Sequence, residues 1–427
     1  MQPSGTRDRS RFERNVLVMG LSSMIATFGN TLWFYFLPIY YTEVFGASPL
    51  LITTIYAIWS AIAALGSAPA GVLADKFGRK SIIVTSSLIS AASVFVFAFS
   101  NIFLLSALAL ALAGLGSSFF KVTYTLVAES ASFEKRGTAF GTFQALQSVA
   151  SAASPIIGGF TISRNGYFPL FIIGGILTLL AAIARILFIR ETLPRSLRRS
   201  GVIKALGVGE GQQESIELSS KDAPSFTTQF FSGFKKIVGH KALLSLVLIY
   251  SLYNLLVDQN SPITQLYANS ALGLNVASIG ILFSAILLVL AASRFIFGKL
   301  ADKIGRKRTV LISWIGESTF VYIFVFAPRG YLGMALIGIT FWMLFGVMDA
   351  PAINAWVAEL FPNARHRGFY MGVFYSATVI PTVPALILSG YLFSIQPQLP
   401  FYANSALGVI ALLLLIGLKE PTNHELE

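Results

Sequence analysis

The stretch GVLADKFGRKS (Gly71–Ser81) follows a long apolar run, and it returns as GKLADKIGRKRT (Gly298–Thr309), 227 residues later. Two other phrases recur at nearly the same distance. The first contains Glu129 and Arg136, and its arginine recurs as Arg367 at an offset of 231. The second, Arg190-Glu191, closes a later apolar run and recurs as Lys419-Glu420 at an offset of 229. Several repeats at nearly the same offset indicate a chain built from two similar halves.

The composition predicts a membrane protein. Of the 427 residues, 55% are hydrophobic and only 12% are charged, whereas soluble domains carry about 25% charge. A soluble protein of this size would lack the polar surface needed to face water. Crossing a bilayer takes about 20 apolar residues, and twelve such stretches are present. They are spans 1 to 12, at about 15–42, 49–74, 80–100, 102–128, 138–162, 167–189, 242–268, 275–298, 308–328, 331–358, 369–393 and 400–418.

These spans predict an all-α membrane protein with twelve transmembrane helices in two pseudo-symmetric six-helix bundles. The predicted units are a tail (1–14), an N-terminal bundle (15–190), a linker (191–240), a C-terminal bundle (241–419) and a short tail (420–427). Lys and Arg concentrate at the N-terminus, in the linker and in every second loop, so the positive-inside rule places both termini and the linker in the cytoplasm. The cell membrane is the expected location, and the polar, basic N-terminus predicts no removable signal peptide.

Several classes of function are excluded. The chain has no Cys and three widely separated His, so disulfides, thiol nucleophiles and clustered metal ligands are not expected. No nucleophile elbow or phosphate-binding loop is present, which argues against an enzyme and predicts no cofactor. The net charge of +12 follows from the topology, and we do not expect nucleic acid as a partner.

The repeated phrase resembles the G-x-L-a-D-r-x-G-r-k motif of the major facilitator superfamily of secondary transporters, and the resemblance covers nearly the whole chain. It implies two bundles around a central cavity that opens to each side in turn. It also implies that the phrase and two later loops form a cytoplasmic latch between conformations. The latch residues are Gly71, Asp75, Gly78, Arg79, Glu129 and Arg136 in the first half, and Gly298, Asp302, Gly305, Arg306, Glu359 and Arg367 in the second.

Local chemistry supports a latch independently of the family. Gly71 should let a neighbouring helix approach closely, and Gly78 suits a tight turn. Asp75, at a helix end, can accept from the amide groups of another helix or pair with an arginine. The alternative is an ordinary basic loop.

Ionisable residues at membrane depth are costly and are therefore functional candidates. Asp258, Asp349, Lys121 and the polar Asn30 are the candidates for binding protons or substrate, and Lys121 and Asp349 could instead pair with each other. We expect Glu317 to be structural, and Arg185 and Arg294 to extend towards the headgroups. Aromatic and amide residues that could line the cavity are Trp33, Tyr35, Tyr124, Gln144, Gln147, Tyr253, Asn254 and Asn354, together with Tyr250 and Trp356.

Span 5 resembles the antiporter signature G-x-x-x-G-P-x-x-G-G of the same family. Pro155, Gly158 and Gly159 match it, while Ala150 and Ser154 replace the first two glycines. The family pattern for span 4 expects an arginine where this chain has Leu110, a departure that weakens the resemblance to drug exporters.

Two transport functions follow from these features. The first is proton-coupled export of small organic or amphipathic compounds. The alternative is proton-coupled uptake of an organic anion, a sugar or another metabolite, for which Lys121 would hold the anion. A channel or a receptor is a third class, and a duplicated latch argues against a static pore. The expected partners are a small-molecule substrate, protons and the lipid bilayer, and the expected state is a monomer.

Overall fold

The computed structural model describes residues 5–131, 136–192, 241–253, 255, 262–349, 352–353, 356, 378 and 380–418, and every regular element within them is helical. The helices are α1 (Gly5–Phe34), α2 (Leu37–Phe45), α3 (Pro49–Leu65), α4 (Ser67–Phe77), α5 (Arg79–Phe99), α6 (Phe103–Phe120), α7 (Val122–Ser130), α8 (Arg136–Asn165), α9 (Tyr167–Phe188), α10 (Lys241–Tyr253), α11 (Pro262–Leu266), a π-helical turn (Tyr267–Ala271), α12 (Val276–Ile304), α13 (Arg306–Val325), α14 (Leu332–Gly346), α15 (Thr382–Ile395) and α16 (Leu399–Gly417).

The lengths and compositions of these helices confirm the fold class. Within the described residues, seven helical stretches, two of which join α1 with α2 and α6 with α7, are long and apolar enough to cross a membrane, and the bent pair α3–α4 is an eighth candidate. Four shorter apolar helices lie in spans 7, 8, 10 and 11. Many leucines, isoleucines and phenylalanines point outward from the helices, as expected where lipid replaces water as the solvent.

Several predicted spans consist of two helices, for local reasons. Span 1 is divided between α1 and α2, and Pro38 lies in the first turn of α2, a position where a missing N–H costs nothing. Span 2 is divided at Gly66, where a β-carbon would collide with the carbonyl oxygen of Ile62 and the side chain of Ser118. Span 4 is divided at Lys121, between α6 and α7.

The two copies of the repeated phrase make the same turn. Gly78 and Gly305 have φ of 99° and 96°, values that favour glycine, so the predicted tight turn is confirmed. Lys80, after the first turn, donates to the carbonyl oxygen of Ile186 at 2.6 Å. Lys307, after the second, donates to the carbonyl oxygen of Ile416 at 2.9 Å. Each lysine therefore ties its turn to the last helix of its own half.

A β-carbon on Gly71 would meet no atom of the described residues within 4 Å, so no described helix approaches closely there. The packing role expected of Gly71 stays a prediction, because a glycine in a membrane helix only makes close approach possible, and the neighbouring helices decide whether it occurs.

We call the end of the bundle that carries the Gly78 and Gly305 turns the turn face, and the opposite end the far face. The two halves meet near the far face. The backbone N–H of Ile156 in span 5 donates to Ser284 Oγ in span 8 at 3.0 Å. Tyr35 of span 1 stacks on Phe283 of span 8, with ring centroids 4.7 Å apart.

Candidate functional site

The first copy of the repeated phrase belongs to a network of charges at the turn face. Arg79 is the centre of this network: its guanidinium forms ion pairs with Asp75 and, at 3.2 Å, with Glu129. The Arg79 side chain is 11% exposed, the Asp75 side chain 70%. The pair with the exposed Asp75 therefore contributes little stability, whereas the guanidinium itself is held in place by burial.

Glu191 also belongs to this network, although no sequence motif marked it as a site residue. Its carboxylate accepts hydrogen bonds from the backbone N–H of Arg79 at 2.9 Å and of Lys80 at 3.1 Å. It therefore binds the first turn of α5, where backbone N–H groups lack helical partners and favour a negative charge. The Thr192 hydroxyl donates to Glu129 and its backbone N–H donates to Glu191, so Thr192 links the carboxylates of Glu129 and Glu191. The only sequence signal for Glu191 was its recurrence at the end of span 12.

All of these contacts lie within the first half. Asp75 pairs with Arg79, four residues away. In the second copy, the surroundings of Gly298 and the side chain of Asp302 lie outside the described set, as does the side chain of Arg136. The latch between halves, with its second-half residues, therefore remains a prediction.

The two charged candidates Lys121 and Asp349 lie in separate environments. Lys121 Nζ donates to Ser67 Oγ at 2.7 Å and to the carbonyl oxygen of Ala63 at 3.3 Å, both in span 2. Asp349 is 3% exposed, and its Oδ2 accepts from Trp314 Nε1 at 3.0 Å. No ion pair joins these two described side chains, so each remains a separate candidate for binding a substrate or a proton.

In the second half, two acidic side chains each accept a hydrogen bond from the indole of a buried tryptophan. Trp314, which donates to Asp349, also stacks on Tyr253 with ring centroids 4.0 Å apart. Glu317, one turn along span 9, accepts from Trp342 Nε1 at 3.3 Å. Both acids are thus hydrogen-bonded inside the second bundle, and Tyr253 packs beside one of them.

The span 5 signature packs on both halves, as its small residues predicted. A β-carbon on Gly158 would collide with the carbonyl oxygen of Leu32 in span 1. One on Gly159 would lie 3.1 Å from the Cα of Ala277 in span 8. The carbonyl of Pro155 lies directly against Gly280. Small side chains therefore let span 5 touch one helix of each half at the far face.

A cavity of about 240 Å³ lies inside the first half, and it brings together two of the predicted residues. Asn30 and Trp33 line it from span 1, and residues of spans 2, 3, 4 and 6 complete it. Its lining is rich in hydroxyl groups, which include Ser87, Ser93 and Thr178.

Arg185 also lines this cavity, and its predicted extension towards the headgroups is wrong. It is 1% exposed and donates to Ser22 Oγ at 3.2 Å, Ser87 Oγ at 2.6 Å and Ser23 Oγ at 3.1 Å. Hydroxyl groups of spans 1 and 3 hold the guanidinium inside the bundle. Serines are so common on membrane helices that their positions in the sequence did not indicate this arrangement.

The remaining cavity candidates are dispersed. Tyr35 is buried against the second half, and Tyr124 is exposed and packs on Phe143 and Phe140. Gln144 is exposed at the turn-face end of span 5, and Gln147 accepts from Thr27 at 3.4 Å. The other site residues lie outside the described residues or side chains: Asp258, Asn254, Asn354, Glu359, Arg367 and Arg294.

Comparisons with known proteins agree on one family. The family model of the Major Facilitator Superfamily matches residues 19–263 and 256–427. Multidrug resistance protein 1 of Bacillus subtilis (strain 168) is 25% identical over 357 residues, which are 83% of this chain and 83% of that protein. The multi-drug resistance efflux pump PmrA of Streptococcus pneumoniae is 27% identical over 77% of this chain and 76% of its own. A crystal structure of the nucleoside transporter NupG superposes with a TM-score of 0.72 at 15% identity, over 94% of this chain and 99% of that one.

Proposed function

Since the chain belongs to the Major Facilitator Superfamily, we propose that it exports small organic or amphipathic compounds in exchange for protons. The names of the two multidrug relatives support this substrate class. The observation that carries the proposal is the seam between spans 5 and 8, where the antiporter-like signature forms the contact between halves. Its small residues allow two backbones to meet and to separate as rigid surfaces.

We place both termini in the cytoplasm, because the basic loops lie at the turn face. In that orientation the seam closes the outer side of the protein, and export requires it to open. The turn-face network then belongs to the cytoplasmic side. Asp75, 70% exposed and paired within its own loop, is available to clasp the second half when the inner side closes.

Asp349 is the described residue best suited to bind the coupling proton. A carboxylate buried within a membrane span is costly when charged, and protonation removes that cost. Its bond from Trp314 fixes the side chain in the second bundle. Asp258, outside the described residues, stays our second proposed proton carrier.

The test is transport by the purified protein in liposomes with an imposed proton gradient. We expect a fluorescent amphipathic cation to be moved against the proton flow, and Asp349→Asn to abolish this coupling. Glu317→Gln is the matched control, since it neutralises a second buried acid in the same bundle and should preserve coupling. Loss in both variants, or in neither, would refute the role of Asp349.

Uptake of an organic anion with protons is the second candidate function, and Lys121 favours it. This cation is exposed, and its described hydrogen bonds go to uncharged oxygens of span 2. It is therefore able to receive an anionic group. Anion uptake driven by external acid and lost in Lys121→Met, without export of the cationic dye, would favour this function over the first.

A further inference from the structure

The cavity inside the first half has a buried floor and a partly open rim. Trp33, Ser87, Ser93, Thr178 and Arg185 are buried on the floor. We define the aromatic rim as Phe34, Trp59 and Phe120, which line the cavity and are only partly buried. Because all of these residues belong to spans 1 to 4 and 6, the cavity is separate from the contact between the two halves.

The floor contains a positive charge that meets no carboxylate among the described residues. Arg185 bonds three uncharged serines and lies 5.2 Å from the centre of the Phe120 ring. A guanidinium has five N–H groups, and these bonds use one on each nitrogen. One N–H on each terminal nitrogen is therefore left for another acceptor. A buried charge is costly unless it is paired.

A second donor lies farther along the same cavity. Trp33 is 3% exposed, and its Nε1–H is buried without a hydrogen-bond partner in the described part of the chain. Native proteins leave few such groups unpaired.

We propose that this cavity binds a small organic anion, a monocarboxylate with an apolar body. The carboxylate accepts the two remaining N–H groups of Arg185, which is the geometry that arginine offers to carboxylates. The apolar body lies against the aromatic rim. An apolar cavity of about 150 Å³ admits benzene, so about 240 Å³ is sufficient for an aromatic carboxylate. The site goes beyond the proposed function, since it lies within one half and requires no particular direction of transport.

The test measures binding to the full-length protein in detergent, by titration calorimetry and by thermal shift. Benzoate is the probe, benzamide is its uncharged counterpart of the same shape, and sodium chloride tests a simple inorganic anion. We expect benzoate to bind at least tenfold more tightly than benzamide and to raise the melting temperature, because a ligand of the folded state stabilises it. Arg185→Gln should weaken benzoate binding at least tenfold.

A second variant keeps the test decisive if Arg185→Gln fails to fold. Ala113→Leu fills the cavity from span 4 and leaves the serine bonds of Arg185 intact. It should also abolish benzoate binding. Ala92→Leu, the same change at an exposed position of span 3, is the matched control and should bind benzoate like the unmodified protein.

Three results would overturn the proposal. Equal binding of benzoate and benzamide would show that the charge of Arg185 is not used. Unchanged benzoate binding in Ala113→Leu would place the ligand elsewhere. A thermal shift from chloride equal to that from benzoate, and lost in the same variants, would make the site one for inorganic anions.

Discussion

The glycine turn at Gly78 permits a direct experiment on the turn-face network. Gly78 and Gly305 have nearly the same backbone conformation, with ψ of 151° and 154°. Alanine is strained in this region, which only glycine occupies readily, at a cost of about 1–3 kcal/mol. A β-carbon at Gly78 would lie 2.8 Å from Cδ of Glu191, while one at Gly305 would meet no atom of the described residues within 4 Å; Glu420, the counterpart of Glu191, lies outside those residues.

Gly78→Ala and Glu191→Gln, made singly and together, therefore measure the contact with Glu191. Moving this carboxylate breaks its bonds to the N–H groups of Arg79 and Lys80. Bonds to charged groups contribute about 1.5–3 kcal/mol each. Because Glu191 is half-buried, we expect a combined loss of about 1–3 kcal/mol.

The assay is thermal unfolding of both variants in one detergent. For a unit the size of one half, 1 kcal/mol corresponds to about 2–4 °C. We expect Gly78→Ala to lower the melting temperature by about 10 °C, through backbone strain and the displaced carboxylate together. Adding Glu191→Gln to Gly78→Ala should cost less than Glu191→Gln alone, since both changes disrupt the same contact.

Two results would refute this reasoning. An unchanged melting temperature in Glu191→Gln alone would show that Glu191 contributes nothing to the first turn. Fully additive effects of Gly78→Ala and Glu191→Gln would show that the two residues act independently.

Three further predictions concern other parts of the fold. Cysteines replacing Thr53 and Gly390 should cross-link spans 2 and 11 under oxidation once the two helices separate slightly, since their β-carbons would lie about 3 Å apart and a disulfide needs about 3.5–4.5 Å. The cross-link should stop transport reversibly, because it locks the far face; a cross-linked protein that still transports would contradict this. Lys80→Met should lower stability by about 0.5–1.5 kcal/mol through the lost bond to the carbonyl oxygen of Ile186. Lys307→Met should cost more, since Lys307 donates to the carbonyl oxygens of both Ile416 and Leu418; equal losses in thermal unfolding would contradict this. Trp314→Phe keeps an aromatic ring but removes the donor to a buried carboxylate, so we expect about 1–3 kcal/mol of destabilisation in the same assay, and an unchanged melting temperature would contradict it.

Helix count and duplication could be predicted because both depend on local pattern. A span is an apolar run of a length set by the bilayer, and a glycine turn such as that at Gly78 is a property of one residue. The signature of span 5 was also recognisable, since small residues at fixed spacing allow close packing whichever helix is the neighbour. These are properties of a segment and hold before its partners are known.

The sequence by itself thus determined twelve spans, two related halves and the two glycine turns. Only the tertiary structure decided which side chains meet. It placed Glu191 on the first turn of α5 and buried Arg185 among serines instead of extending it to the headgroups. The reason is that hydrogen bonds and charge pairing depend on distances between helices far apart in the chain, which local pattern does not contain.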